Sequence, residues 1–358
     1  MPYYHDLDSS TDEGQRTIER LLALRQSLDD EVPERTLDET LLLATWNIRE
    51  FDSPAYGGRM PEAFYYIAEV IARFDLIAIQ EVRKDLKALH RLMELLGEDW
   101  KYIVTDVTEG KRGNKERTAF LYDSRTVRFG GLAGEIVLPP IEAKGKPDES
   151  VTQIARTPFI CGFSTGWTRF MITTVHVLFG EQKKDDPERV KEIQHVAQFL
   201  KKRSEDETAW AHNIILLGDF NIFNPEDVTM QAITNAGFEV PEKIQKLPSN
   251  ASKNKHYDQI AFRVRKDRFG TTGKAGVFDY YESVYREVDR ETYIPNMGDA
   301  YNTTSKGKPR TESGKKIYYK TYWRTYQMSD HLPMWVELKI DFSDEYLKRK
   351  QTGGVNPD

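Results

Sequence analysis

Apolar residues recur along this chain at two spacings that take turns. In a polar, acidic stretch over residues 1–39, Ile18, Leu21, Leu22 and Leu28 fall on one helical face, and Ser10 followed by Glu13 has the form of a capping box. This predicts a leading helix that packs on the domain or on a partner. From Leu41 the rhythm becomes strand, helix, strand. Leu41–Trp46 is a short apolar run ending at Asn47. Pro61 opens a helix with Phe64, Ile67, Ala68 and Ile71 on one face, and Leu76–Ile79 is a buried strand ending at Gln80-Glu81. A further helix carries Leu86, Leu89, Met93 and Leu96, and strands are predicted over 101–105, 118–122, 158–163 and 168–176. Asp186-Pro187 starts a helix with Val190, Ile193, Ala197 and Leu200 inward. Strand Asn213–Gly218 runs into Asp219, a short helix follows Pro225, and the last core strands span 257–262 and 333–340.

Residues 264–320 break this rhythm. They are rich in tyrosine, glycine and charge, and read as a long insertion of the kind more often functional or mobile than core. Tyr280, Tyr281, Tyr285, Tyr293, Tyr301, Tyr318 and Tyr319 would either pack on the sheet or offer stacking surfaces to single strands. The expected organisation is an N-terminal helical extension over 1–39, one domain over 40–342 with its insertion at about 264–320, and a loosely attached tail over 343–358.

Composition narrows the classes. The chain has 358 residues, 39% of them hydrophobic, enough for a substantial core. Its formal net charge is -6, so a nucleic-acid enzyme built on it needs a local basic patch. The single cysteine, Cys161, excludes an intramolecular disulfide and points to a reducing cytoplasm. The start, Met1-Pro2-Tyr3-Tyr4-His5, lacks the basic and apolar regions of a signal peptide, and no apolar run is long enough to span a membrane.

The chemistry gathers where four apolar strands are expected to end in polar residues: Trp46-Asn47, Ile79-Gln80-Glu81, Gly218-Asp219-Phe220-Asn221 and Met328-Ser329-Asp330-His331. If these strands share a sheet edge, their oxygens can converge on a hard cation such as Mg2+ or Mn2+ or on a phosphate. Each segment alone is weak, since a carboxylate at a strand end is more often a turn former.

Taken in order with Lys115-Glu116-Arg117, Val175-His176 and Tyr257-Asp258-Gln259-Ile260, the series resembles the motifs of the endonuclease/exonuclease/phosphatase superfamily over about residues 41–340. The Glu81-Val82-Arg83, Lys115-Glu116-Arg117 and Tyr257-Asp258-Gln259-Ile260 segments look like its deoxyribonuclease I branch. The resemblance implies an α/β four-layer sandwich: two packed, mostly antiparallel or mixed β-sheets flanked by helices. It implies metal binding by Glu81, Asn47 and Asp330. It also implies that Asp219 and Asn221 hold the scissile phosphate, orient water or bind metal. His176 and His331 would be the paired histidines at the phosphorus, with Glu116 and Asp258 as their acidic partners. His90, His195, His212 and His256 have no such context.

Arg83, Arg117 and Arg156 are the expected phosphate contacts, helped by the basic loop Lys111-Arg112-Gly113-Asn114-Lys115. In the deoxyribonuclease I branch the counterpart of Arg83 enters the minor groove, and a loop tyrosine stacks on a sugar; Asn114 replaces that tyrosine here. Lys306–Lys316, with five basic residues and one acid, would either overhang the cleft or form a free loop. The implied function is metal-dependent hydrolysis of phosphodiester bonds, in DNA and by endonucleolytic attack. The alternatives are a phosphatase or phosphodiesterase acting on RNA, a phospholipid head group or a small metabolite, and a silent binding module.

Overall fold

The computed structural model describes residues 2–53, 57–109, 114–138, 154–181, 183–265 and 269–352, with the backbone of 142–143 and 146–147. Lys111-Arg112-Gly113 of the basic loop lies outside the described residues. The strands are β1 (Thr40–Phe51), β2 (Leu76–Arg83), β3 (Trp100–Val104), β4 (Glu116–Asp123), β5 (Arg128–Glu135), a small pair β6 (Glu142–Ala143) and β7 (Lys146–Pro147), β8 (Phe159–Thr165), β9 (Thr168–His176), β10 (Ile214–Asp219), β11 (Asp258–Arg263), β12 (Gly270–Val277) and β13 (Met334–Lys339). A 6-stranded sheet runs β12-β13-β1-β2-β4-β3, and a 5-stranded sheet runs β11-β10-β9-β8-β5.

Side-chain alternation makes each sheet apolar on both faces. In β1, Leu41 and Leu43 face the second sheet while Leu42, Ala44 and Trp46 face helices; in β10, Ile215 and Leu217 face the first sheet while Ile214 and Leu216 face helices. Helices α1 (Asp12–Glu31), α2 (Pro61–Ala72) and α3 (Lys87–Leu96) cover one outer face. Helices α4 (Pro187–Glu205) and α5 (Val228–Thr234) cover the other. The result is helix, sheet, sheet, helix: the four-layer sandwich the motif series implies. Among the described residues no helix is long and apolar enough to cross a membrane.

Several local readings change. The cap of α1 is Thr11, whose hydroxyl accepts from Gly14 N at 3.0 Å, one residue after the expected Ser10. Its buried face is Leu21, Leu24 and Leu28, while Leu22 is 64% exposed, because the stripe follows a period of 3.6 and is narrower than the run of leucines suggests. Strands β5 and β12 were not legible, since both are glycine-containing edge strands with much of their length in solvent. Within the expected insertion, Tyr280, Tyr281, Tyr285, Tyr293, Tyr301 and Tyr319 are buried in the first core layer rather than offered to a ligand. In the tail, a helix over Ser343–Gln351 rests Tyr346 on Trp167.

At the edge where β2 begins and β4 ends, Arg35 bridges two fully buried carboxylates. Its guanidinium meets Asp75 at 2.7 Å and Asp123 at 2.6 Å. Burial pushes the Asp75 carboxyl upward against the pull of Arg35. Removing Arg35 takes the counter-ion from buried Asp75, while Asp123 keeps Arg125 at 2.6 Å. Arg35→Ala should therefore cost about 3 kcal/mol of unfolding free energy by denaturant titration; a loss within the scatter of ordinary surface substitutions would remove this bridge from the list of fold anchors.

Candidate active site

Strand direction gathers the polar segments at one edge. β1 and β2 are parallel, as are β9 and β10, so their C-terminal ends, carrying Asn47, Gln80-Glu81, His176 and Asp219, lie together. β4, β11 and β13 are antiparallel to these neighbours, so their starts reach the same edge with Glu116, Asp258 and the Asp330-His331 turn. The fourth segment thus precedes a strand instead of ending one, a correction to the reading from sequence. Parity does the rest. Counting by twos from the inter-sheet apolar residues leads from Leu43 to Asn47, from Phe170 and Ile172 to His176, from Leu217 to Asp219, from Phe120 to Glu116 and from Ile260 to Asp258. The site is the polar continuation of the inter-sheet core.

Glu81 arrives by a different route. The β1–β2 and β2–β4 ladders both slip beside it, and its φ is +62°. This bulge places Gln80 and Glu81 toward the same centre and returns Val82 to the helix side. Glu50 and Asn221 also hold positive φ, at 47° and 53°. Such backbone costs of order 1–3 kcal/mol per residue and clusters where geometry serves chemistry. Gly218, with φ +129°, sits so close to β9 that a Cβ would overlap the Val175 carbonyl.

Asp219 Oδ2 is the hub. It accepts from Asn47 Nδ2 at 3.0 Å, and lies 3.5 Å from His176 Nε2 and 3.7 Å from His331 Nε2. Each imidazole is backed by a carboxylate on its other nitrogen: His176 Nδ1 to Glu116 Oε1 at 2.6 Å, and His331 Nδ1 to Asp258 Oδ2 at 2.8 Å. Asn47 Nδ2 also donates to Glu81 Oε1 at 3.0 Å, while the Glu50 N–H donates to Glu81 Oε2 at 2.7 Å. Asn221 is turned away from the hub, its amide donating to the Val177 carbonyl at 2.8 Å and its N–H to Asp219 Oδ1 at 2.9 Å. Asp330 is half-exposed at the rim, 4.0 Å from Arg49 Nε.

Burial opposes the charged form of both rings, and the carboxylates outweigh it. His331 is held well above its ordinary value by Asp258 and Asp219, and His176 above its own chiefly by Glu116. Burial also pushes the Glu81 carboxyl up, with Glu116 and Asp330 adding to it. The donors suit a hard cation. Glu81 offers carboxylate oxygen, and Asn47 Oδ1 is buried with no hydrogen-bond partner among the described residues, while its amide nitrogen serves both acids. Two tight groups, Glu81 with Glu116 and His176, and Asp219 with Asp258 and His331, have ligand-type atoms within 4.8 Å of one another.

The three arginines do not converge on the hub as a set. Arg156 is buried and paired with Glu116, behind His176. Arg83 pairs with Glu50 at 3.0 Å. Arg117 follows Glu116 on β4 and therefore points to the opposite face, where it donates to the Thr105 carbonyl at 2.5 Å. Sequence alone assigns the other participants no role, although Ser329 and Tyr257 lie within its motifs. Ser249 donates to Asp258 Oδ2 at 2.7 Å from a loop nine positions upstream. Ser329 Oγ donates to the Asn47 carbonyl at 2.6 Å and accepts from His331 N at 3.0 Å, while Tyr280 OH donates to the His331 carbonyl at 2.7 Å. The Tyr257 ring lies 5.5 Å from that of His331.

In metal-free protein, Glu116→Gln should move the His176 ring titration below its wild-type midpoint, because burial and Arg156 then act without the opposing carboxylate. Proton NMR of the ring reads this directly, and an unmoved midpoint would break the assigned pairing.

No family model matches the chain. A relative named deoxyribonuclease, from Thioalkalivibrio sp. (strain K90mix), is 28% identical over 188 residues, covering 51% of this chain and 46% of the relative. The match thus spans about half the length of that protein. Among solved structures, TDP2 of D. rerio complexed with single strand DNA product has a TM-score of 0.51 at 13% identity, covering 84% of this chain and 99% of that one. ANGEL2, a 2′,3′-cyclic phosphatase in complex with adenosine-2′,3′-vanadate, has a TM-score of 0.50 at 10% identity, covering 86% and 97%. At such identities these likenesses speak for architecture. The chain has the deoxyribonuclease I-like α/β-sandwich fold of these structural neighbours.

Proposed function

We propose that this protein is a divalent-metal-dependent phosphodiesterase whose substrate is DNA, cut endonucleolytically. The observation that carries the reading is the arrangement around Asp219: two buried imidazoles with their Nε2 atoms 3.5 and 3.7 Å from one carboxylate oxygen, each backed by its own acid. A buried constellation of this kind has little structural reason to exist, since apolar residues would pack the same edge at lower electrostatic cost. The relative named deoxyribonuclease supports the choice of nucleic acid.

Hydrolysis of a phosphodiester needs an oriented water, a neutralised phosphoryl group and a proton for the leaving alkoxide. Mg2+ or Mn2+, when bound, supplies charge neutralisation at phosphate oxygens. Glu81 and Asn47 would hold it, with Asp330 at the rim. Asp219 orients the attacking water between the histidines. One imidazole accepts the water proton; the other, as imidazolium, binds a phosphoryl oxygen or protonates the leaving group. Glu116 and Asp258 fix the tautomers and stabilise the charged rings. Asn221 holds the loop after Asp219 by its bond to Val177. Against burial, His176 and then Arg156 hold the Glu116 carboxyl below its ordinary value. Arg83, only partly buried, is the side chain left to meet a backbone phosphate, since Arg117 faces away from the site.

A panel of supercoiled plasmid, single-stranded DNA, RNA, and small phosphomonoesters and diesters, each with Mg2+, Mn2+ or chelator, tests the reading. Metal-dependent plasmid relaxation is expected. Phosphate release without nicking would replace it with the metabolite reading, and no turnover on any substrate with the silent module. His176→Ala should lower nicking by at least about 100-fold while the circular dichroism spectrum is kept; normal nicking by the folded variant would remove that residue from the mechanism. Glu81→Ala should raise the Mg2+ or Mn2+ concentration needed for half-maximal activity, and an unaltered metal titration would place the ion elsewhere.

A further inference from the structure

A helix over Glu312–Tyr318 passes through a wider π-helical turn, Tyr319–Trp323, into Arg324–Gln327. It carries two stacked ring pairs at four-residue spacing. Tyr319 and Trp323 lie 5.8 Å apart with 20° between planes, both buried in the core, and hydrophobic packing accounts for them. Tyr318 and Tyr322 repeat that geometry one residue earlier, at 5.8 Å and 22°, yet on the outer side, where Tyr322 is 48% exposed and its neighbour Ile317 is 58% exposed. Tyr318 leans on the edge of the core, but core packing gives no reason for Tyr322 to stack on it in solvent.

The surface rings sit in a line of cations that starts at the candidate active site. Arg49, 4.0 Å from Asp330, has its guanidinium 5.2 Å from the Tyr322 ring centre. At the far end, the Arg310 guanidinium is 4.6 Å from the Tyr318 ring. Beside this ladder is a cavity of about 590 Å³, bounded by Ile317, Tyr318 and Tyr322 on the helix and by Thr303, Thr304 and Arg310 on the facing segment. That volume falls within the range of small-ligand sites, too small to admit a duplex. The sequence around it, 306–320, has six Lys or Arg residues against one acid, in a chain whose net charge is -6. Aromatic edges, an exposed apolar side chain, hydroxyls and local positive charge in one groove match nucleobases, sugars and phosphates.

We propose that this groove is a subsite for an unpaired stretch of DNA. Its bases pack against Ile317, Tyr318 and Tyr322, and its phosphates meet Arg310 and Arg49, leading the strand to the Asp219 centre. The inference rests on the phosphodiesterase reading for its substrate class but not for its test. Fluorescence anisotropy in chelator, where no cleavage occurs, measures binding of a fluorescein-labelled oligodeoxythymidylate and of a hairpin duplex to the full chain. Tyr322→Ala and Ile317→Glu should each weaken single-strand binding by about tenfold, with a smaller effect on duplex, and Tyr322→Phe should retain it. Unchanged single-strand affinity in both variants, or an equal loss on duplex, would overturn the subsite. If wild-type protein hydrolyses neither plasmid nor a small diester, the catalytic reading fails by itself, and the anisotropy comparison still decides the groove.

Discussion

Glu116, Asp219 and Asp258 are almost out of reach of water, and Glu81 and Asp330 stand at their side. So many carboxylates at one sheet edge repel one another and each resists burial. The molecule answers with two imidazoles, the Arg156 guanidinium and the Asn47 amide, spaced so that Glu116, Asp219, Asp258 and Glu81 each have at least one close partner. The residual negative charge on the Glu81 side suits a cation. Electrostatic compensation at this edge therefore explains both the raised histidines and the fitness of the site for metal.

Holding that edge together is the task of the core. Two sheets apolar on both faces, backed by helices, form three continuous apolar layers, and the site is where the middle layer turns polar. Positive φ at Glu50, Glu81 and Asn221 is affordable only because the ladders on either side are long and buried. Gln80 adds a tie between sheets just below the site, donating to Thr45 at 3.1 Å and Thr174 at 2.9 Å. At the opposite end, Arg35 secures the same strands.

The segment over 264–320 has two roles in one stretch. Its inward tyrosines complete the helix-side core and fasten the Ser329–His331 turn, with Tyr280 and Tyr281 both donating to the Ser329 carbonyl. Its outward ring Tyr318 stacks on Tyr322, just beyond the segment, at the surface. Composition could not separate the two, because a tyrosine is equally at home packed or exposed, and the choice depends on which side of the helix meets the sheet.

The amino-acid order by itself determined most of the strands and helices, the run of motifs from Asn47 to His331, and the parity that points Asn47, Glu116, His176, Asp219 and Asp258 to one face. These follow from short-range periodicity and from residue chemistry, which a linear string carries. Edge strands β5 and β12 escaped because solvent-facing, glycine-bearing segments lose the apolar alternation that marks a strand. Only the tertiary structure decided that the Ser329–His331 turn begins a strand, that a bulge delivers Glu81, that Ser249 supports Asp258, and that Arg156 serves Glu116 while Arg117 faces away. Those outcomes depend on strand direction, ladder slips and contacts between residues far apart in the chain, and no local pattern records them.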